Sequence, residues 1–114
     1  MSRLDSRAIG ELRELMGEDF AALIDAFQSD SEAQIAAIDV AAANGAAEHV
    51  RRQAHGLKGA CINLGANDLA ELCGRIEEAG RAADCKAALG LVAPLRLEFG
   101  AVREALDALR QPLR

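Results

Sequence analysis

From Ala46 to Leu64 the chain reads Ala46-Ala47-Glu48-His49-Val50-Arg51-Arg52-Gln53-Ala54-His55-Gly56-Leu57-Lys58-Gly59-Ala60-Cys61-Ile62-Asn63-Leu64. Val50, Ala54, Leu57, Cys61 and Leu64 recur at steps of four, three, four and three, the repeat that lines one face of an α-helix. At about 100° of rotation per residue the stripe centres near Val50 and Cys61, and His55 points roughly 130° away from it. Arg51, Lys58 and Ile62 fall within about 60° of the histidine. The spacing therefore predicts a helix with a buried stripe on one side and a solvent-facing imidazole on the other.

Two glycines, Gly56 and Gly59, occupy the central turns of this helix. Each costs roughly 1 kcal/mol relative to alanine in a helix interior, so helix stability does not account for them. Helical side chains lean toward the N-terminus, and a side chain four residues after His55 would lie back across the ring. That position is Gly59, which leaves the ring uncovered. Lys58 leans the same way and can bring its ammonium beside an anion carried on the imidazole.

Outward from this segment the chain divides into further helices. Leu4 to Met16 has Ile9, Leu12, Leu15 and Met16 at helical spacing, with Asp5 or Ser6 to cap it and Gly17 to end it. From Asp19 to Ala43, Phe20, Leu23, Ile24, Phe27, Ser31, Ile35, Ile38 and Ala42 keep one face over about seven turns, which reads as one helix, with Ser29-Asp30-Ser31 the place where a bend would fall. Asn44-Gly45 stops that helix, since both residues accept the left-handed conformation of a C-terminal cap.

After the histidine helix, Gly65 is a terminator, and Asn67 or Asp68 can cap the next helix, Asp68 and Glu71 having the spacing of a capping box. Leu69, Leu72, Cys73 and Ile76 form its stripe up to Gly80. Asp84 can cap a last segment with Cys85, Ala88, Val92, Leu95, Phe99, Val102, Leu106 and Leu109 in a three-four alternation. Pro94 lies inside it, lacks a backbone donor and clashes with the carbonyl of Gly90, so a kink or break is expected between Gly90 and Pro94. Pro112 closes the chain. The pattern predicts an all-α fold over residues 1–114: an up-down-up-down antiparallel four-helix bundle with a short extra N-terminal helix.

Composition narrows the function classes. Apolar residues make up 51% of the 114, tryptophan and tyrosine are absent, and the aromatics are Phe20, Phe27 and Phe99. A net charge of −5 has the wrong sign for a phosphate-backbone binder, so no nucleic acid is expected as a partner. There is no basic-then-apolar leader and no apolar run near eighteen residues, so no membrane partner is expected and the expected location is cytoplasmic. Cys61, Cys73 and Cys85 lack metal-finger spacing and lie on helix stripes, where they read as buried, reduced thiols. His49 and His55 diverge on the helix and no inward Glu-x-x-His pairs exist, so no metal site is expected.

Histidine suits the role of phosphoryl acceptor. With an ordinary pKa of about 6.5 the side chain is largely neutral near pH 7, and its distal ring nitrogen is nucleophilic. The phosphoramidate it forms is high in energy, so transfer can run both ways. No P-loop, glycine-rich ATP loop or carboxylate cluster for Mg²⁺ is present, so ATP is not the expected donor and no autonomous turnover is expected.

The string His55-x-Leu57-Lys58-Gly59, followed by Gly65-Ala66, Leu69, Leu72-Cys73 and Glu77-x-x-Gly80-Arg81, resembles the signature of the histidine phosphotransfer (HPt) domain, and the chain's size resembles the free-standing bacterial members. The resemblance implies a four-helix bundle that relays a phosphoryl group from the phospho-aspartate of one receiver domain to His55 and on to the aspartate of another, in a multi-step two-component pathway. The partners it implies are response-regulator receiver domains and the receiver domain of a hybrid histidine kinase, which supply the Mg²⁺; this chain binds no cofactor itself and is expected to be a monomer. Carried onto this sequence, His55 is the phosphorylated nucleophile, Lys58 supports the phosphoryl oxygens and Gly59 gives clearance. Arg51 and Ile62 are candidates for docking. His49 reads as a solvated residue, and Arg81 as a helix-end cation favoured by the dipole. The alternative is a phosphorylation-independent helical adaptor that binds and sequesters a receiver domain.

Overall fold

Residues 3–110 are described by the computed structural model. They form α1 (Ser6–Met16), α2 (Phe20–Ala43), α3 (Ala47–Asn63), α4 (Asn67–Arg81), α5 (Cys85–Gly90) and α6 (Val92–Arg110), with a 3-10 turn, Gly17–Asp19, between α1 and α2. No strand occurs among the described residues.

The ends of these helices follow from local chemistry. Asp5 caps α1 by accepting from the N–H groups of Arg7 at 3.0 Å and Ala8 at 3.2 Å, which satisfies donors that the first turn leaves without partners. Asp84 does the same for α5 through the N–H of Ala87. Gly65, after α3, has φ +70°, and a Cβ there would stand 2.8 Å from the Cβ of Asp5. The turn needs glycine both for its left-handed backbone and because the N-terminal segment docks on it, the Asp5 N–H donating to the Gly65 carbonyl at 2.8 Å.

The apolar stripes converge on one core. Ile24, Phe27, Ile35 and Ile38 of α2 meet Val50, Ala54, Leu57 and Cys61 of α3, Leu69, Cys73 and Ile76 of α4, and Leu95, Phe99, Val102 and Leu106 of α6, all buried. Each large side chain so buried contributes roughly 1.5–3 kcal/mol by leaving water. α2 packs on α3 and α6, and α4 on the same two, so the four close into a ring, with α1 against the start of α2.

Polar pairs fix the direction of the helices. Asp25 pairs with Arg110, the Gln28 amide donates to Asp107 at 2.9 Å, Glu32 pairs with Arg103, and Asp39 with Arg96 at 2.9 Å. Rising numbers on α2 meet falling numbers on α6, so the two are antiparallel. The same reversal relates α3 to α4, where Arg51 lies against Gly80 and His55 against Glu77. The fold is thus the four-helix bundle with a short N-terminal helix that periodicity leads one to expect, and the last segment breaks at Leu91, between Gly90 and Pro94. Pro94 falls in the first turn of α6, where the missing N–H is needed by no acceptor.

α2 runs as one helix, unbroken through Ser29-Asp30-Ser31; Ser31 stays on the buried stripe, 1% exposed, with no hydrogen bond to its Oγ. Three local expectations need correction. The Asp68–Glu71 capping box does not form: α4 starts at Asn67, its N-cap is Ala66 with no side-chain bond, and Asp68 lies inside the first turn. The Ala66 N–H already donates to the Cys61 carbonyl at 2.9 Å in the turn closing α3, which places the helix start ahead of both polar residues. Leu15 is 82% exposed, because α1 is covered on one side only and Leu15 falls outside that contact. Cys85 is half-buried, being the first residue of the short α5, whereas Cys61 and Cys73 are fully buried. A hydrogen bond donated to Cys73, together with burial, pushes the Cys61 thiol well above its ordinary range, so it stays protonated. Pro112 lies outside the described residues.

Candidate functional site

α3 presents His55, Lys58 and Gly59 on its outer face, and α4 brings Glu77 up beneath them. The His55 side chain is 66% exposed, yet one ring atom is held: Nδ1 lies 3.0 Å from Glu77 Oε2. Lys58 Nζ lies 2.6 Å from the other carboxylate oxygen, Oε1, and an Arg81 guanidinium nitrogen lies 3.2 Å from Oε2. Glu77 itself is 4% exposed. A buried carboxylate is costly unless it is paired, and here an ammonium, a guanidinium and an imidazole surround it.

These partners set the protonation pattern. The Lys58 ammonium holds the Glu77 carboxyl below the ordinary carboxylate range, burial opposes this, and the contact with His55 adds to the lowering. An ionised carboxylate only accepts hydrogen bonds, so the atom facing it must be a donor. The proton of neutral His55 therefore sits on Nδ1, and Nε2 keeps its lone pair. Nε2 makes no hydrogen bond among the described residues. The site holds the near nitrogen of the imidazole and leaves the far one available as a nucleophile.

Gly59 faces open space: a Cβ added there would meet nothing within 4 Å, so no neighbouring helix requires a glycine at that position. At Gly56, one residue past the histidine, an added Cβ would stand 3.2 Å from the Gln34 amide nitrogen of α2. Arg51, one turn before His55, is bound to Glu48 through its Nε at 3.1 Å. Ile62, two turns after His55, is 56% exposed. It borders a shallow, largely apolar depression that also involves Lys58, Ala70, Gly74 and Leu91. His49 is exposed. No group of three His, Cys, Asp or Glu side chains that could hold a metal occurs among the described residues, and no helix there is long and apolar enough to cross a membrane.

Sequence reading brought His55, Lys58 and Gly59 to one place, and so does the structure. The Lys58 ammonium rests on Glu77. Sequence reasoning missed the part of Glu77, which entered only within the Glu77-x-x-Gly80-Arg81 string. A signal was present: Cys73, Ile76, Glu77 and Gly80 share the buried face of α4, and a carboxylate among them calls for a cation from another element.

Residues 22–112 match the model of a family described as the Hpt domain. Among solved structures, the crystal structure of histidine-containing phosphotransfer protein B (HptB) from Pseudomonas aeruginosa PAO1 is similar to this chain at 34% identity and a TM-score of 0.92, covering 98% of this chain and 97% of that one. A comparison with curated proteins gave no significant match. With a family match over most of its length and this likeness in sequence and structure, the chain belongs to the Hpt domain family of phosphotransfer proteins.

Proposed function

We propose that this protein is a phosphoryl carrier in a multi-step phosphorelay, accepting the group on His55 Nε2 from the phospho-aspartate of one receiver domain and yielding it to the aspartate of another. The observation that carries this reading is the pairing of His55 Nδ1 with Glu77 under an exposed ring, which favours the tautomer with its lone pair on Nε2. In the transfer, Nε2 attacks phosphorus, the aspartyl oxygen leaves with its electron pair, and the acyl phosphate P–O bond is exchanged for a P–N bond. The Nδ1 proton stays on the ring, whose positive charge the Glu77 carboxylate offsets.

Lys58 and the same ring share the Glu77 carboxylate, one on each oxygen. A phosphoryl group on Nε2 brings about two negative charges, and these compete with Glu77 for the ammonium. Gly59 leaves the approach to Nε2 free for a convex bundle surface to enter a receiver's pocket, where the receiver holds Mg²⁺. Arg51 and Ile62, before and after the histidine on the same helix, would contact the receiver's rim. Arg51, Arg52, Lys58 and Arg81 stand around the histidine, each paired with Glu48, Glu77 or Glu78, and would exchange these partners for the acidic groups of a receiver pocket.

The test is to offer the protein a radiolabelled phospho-receiver with Mg²⁺, beside His55→Gln, and to examine captured label for acid lability and base stability. Acid-labile label in the wild type alone is the expected result. Binding of receivers without capture of label would favour the sequestering adaptor.

A further inference from the structure

We propose that Gly80 is a positioning residue for His55: by letting the backbones of α3 and α4 touch one turn from the site, it sets the reach of the Glu77 carboxylate to the imidazole. This rests on His55 being the phosphoryl acceptor. Gly80 is buried on the α3-facing side of α4, three residues after Glu77. A Cβ built on it would stand 2.8 Å from the Arg51 nitrogen, 2.9 Å from the Ala47 carbonyl oxygen and 3.0 Å from the Arg51 Cα. All three are backbone atoms of α3 and none belongs to a flexible side chain. Relief cannot come from a rotamer change; the helices must part.

The required movement is small but matches the tolerance of the site. Ordinary contact for a Cβ begins at 3.4 Å, so a methyl at Gly80 separates the two helices by about half an ångström, in a core too densely packed to absorb it elsewhere. His55 lies one turn after Arg51 on α3, and Glu77 one turn before Gly80 on α4, so the parting falls directly on their contact. That contact is 3.0 Å, and lengthening it by about half an ångström brings it to the limit beyond which a hydrogen bond is lost. Gly80 thus touches neither the imidazole nor its carboxylate, and acts on both through the spacing of their helices.

The experiment uses Gly80→Ala in a background of Gly10→Ala and Gly100→Ala. These two positions, on α1 and α6, meet nothing within 4 Å on addition of a Cβ, and they raise helix propensity remote from the site. Three quantities are read: the His55 tautomer by ¹⁵N NMR, the rate of phosphoryl capture from a phospho-receiver, and helicity with cooperative unfolding. The background alone should keep the wild-type tautomer and rate. Adding Gly80→Ala should shift His55 from the Nδ1–H form toward a mixture and slow capture about tenfold, the lower end of what losing a carboxylate behind a functional histidine costs. Combined with Glu77→Gln it should add no further loss, since both act through one contact. An unchanged tautomer in a folded Gly80→Ala chain, or a fully additive loss with Glu77→Gln, would overturn the proposal. Failure to unfold cooperatively in the stabilised background would also overturn it, by assigning Gly80 to the fold alone. Because the tautomer is read without any transfer, failure of the acceptor reading, seen as label captured by His55→Gln, is a separate outcome.

Discussion

Glu77 Oε2 lies 3.0 Å from His55 Nδ1 although the two residues are 22 apart in the chain and on different helices. The antiparallel packing of α3 on α4 produces this contact, and the contact decides which nitrogen of the exposed ring carries the proton. A buried carboxylate beneath a solvent-facing histidine costs desolvation and needs cationic partners. Its place is explained by the three groups it holds, His55, Lys58 and Arg81.

Glu77→Gln keeps the shape of the side chain while removing the charge and letting the group donate as well as accept. The tautomer is then no longer imposed. Capture of phosphoryl from a receiver should slow by about ten- to a hundredfold, as when carboxylate partners of metal-binding histidines are removed, with helicity unchanged. Single-turnover transfer kinetics check this, and a wild-type rate would show that Glu77 serves only to neutralise Lys58 and Arg81.

Replacing Gly59 by leucine should raise stability, because glycine in a helix interior costs roughly 1 kcal/mol and an added Cβ meets nothing within 4 Å. The same side chain would lie back over the imidazole, so transfer should be abolished. Denaturant unfolding beside transfer assays would reveal the opposite signs; retained transfer would refute the clearance argument.

Lys58→Ala should slow transfer without removing it, since the phosphoryl loses its cation while nucleophile and tautomer remain. It should also change the acid response. Lys58 is the largest cause of the lowered Glu77 pKa, which in the folded chain lies beneath 4.5. The stability from this group is complete above about pH 4.5 and is lost as pH falls through the lower folded value. Lys58→Ala brings the folded value nearer the unfolded one, so the loss of stability on acidification below about pH 4.5 should be shallower than in the wild type. Unfolding free energies across that range provide the comparison, and parallel curves would show that Lys58 does not govern the carboxylate.

Gly10→Ala and Gly100→Ala should each stabilise the chain by about 0.5–1 kcal/mol through helix propensity and a less flexible unfolded state. Both lie in helices with open space around an added methyl, and transfer should be unaffected. Loss of stability at either position would mean that its helix packs more closely than the structure indicates.

The bundle was legible in the sequence because its stripes repeat at helical spacing for several turns each, and nearly every residue on the stripes of α2, α3, α4 and α6 is buried. The break before Pro94 was legible from one residue type. Errors fell at helix ends and edges: Leu15 fits the periodicity of α1, but α1 touches the bundle on too narrow a face to cover it, and Asp68 has cap chemistry two residues too late. The nucleophile, its lysine and its glycine lie within five residues on one helix, so local spacing sufficed to group them. Glu77 could not be grouped that way, because its contact depends on the register between α3 and α4. That register is set by packing at places such as Gly80, where the glycine type is visible in sequence and the backbone opposite is not.

The central claim is that Glu77 reserves Nδ1 and leaves Nε2 to react. Phosphorylating ¹⁵N-histidine-labelled protein with a phospho-receiver and locating the P–N bond by ¹⁵N–³¹P coupling tests it most directly. The account predicts phosphorus on Nε2 of His55, with Nδ1 still protonated. Phosphorus on Nδ1, or on His49, would contradict it.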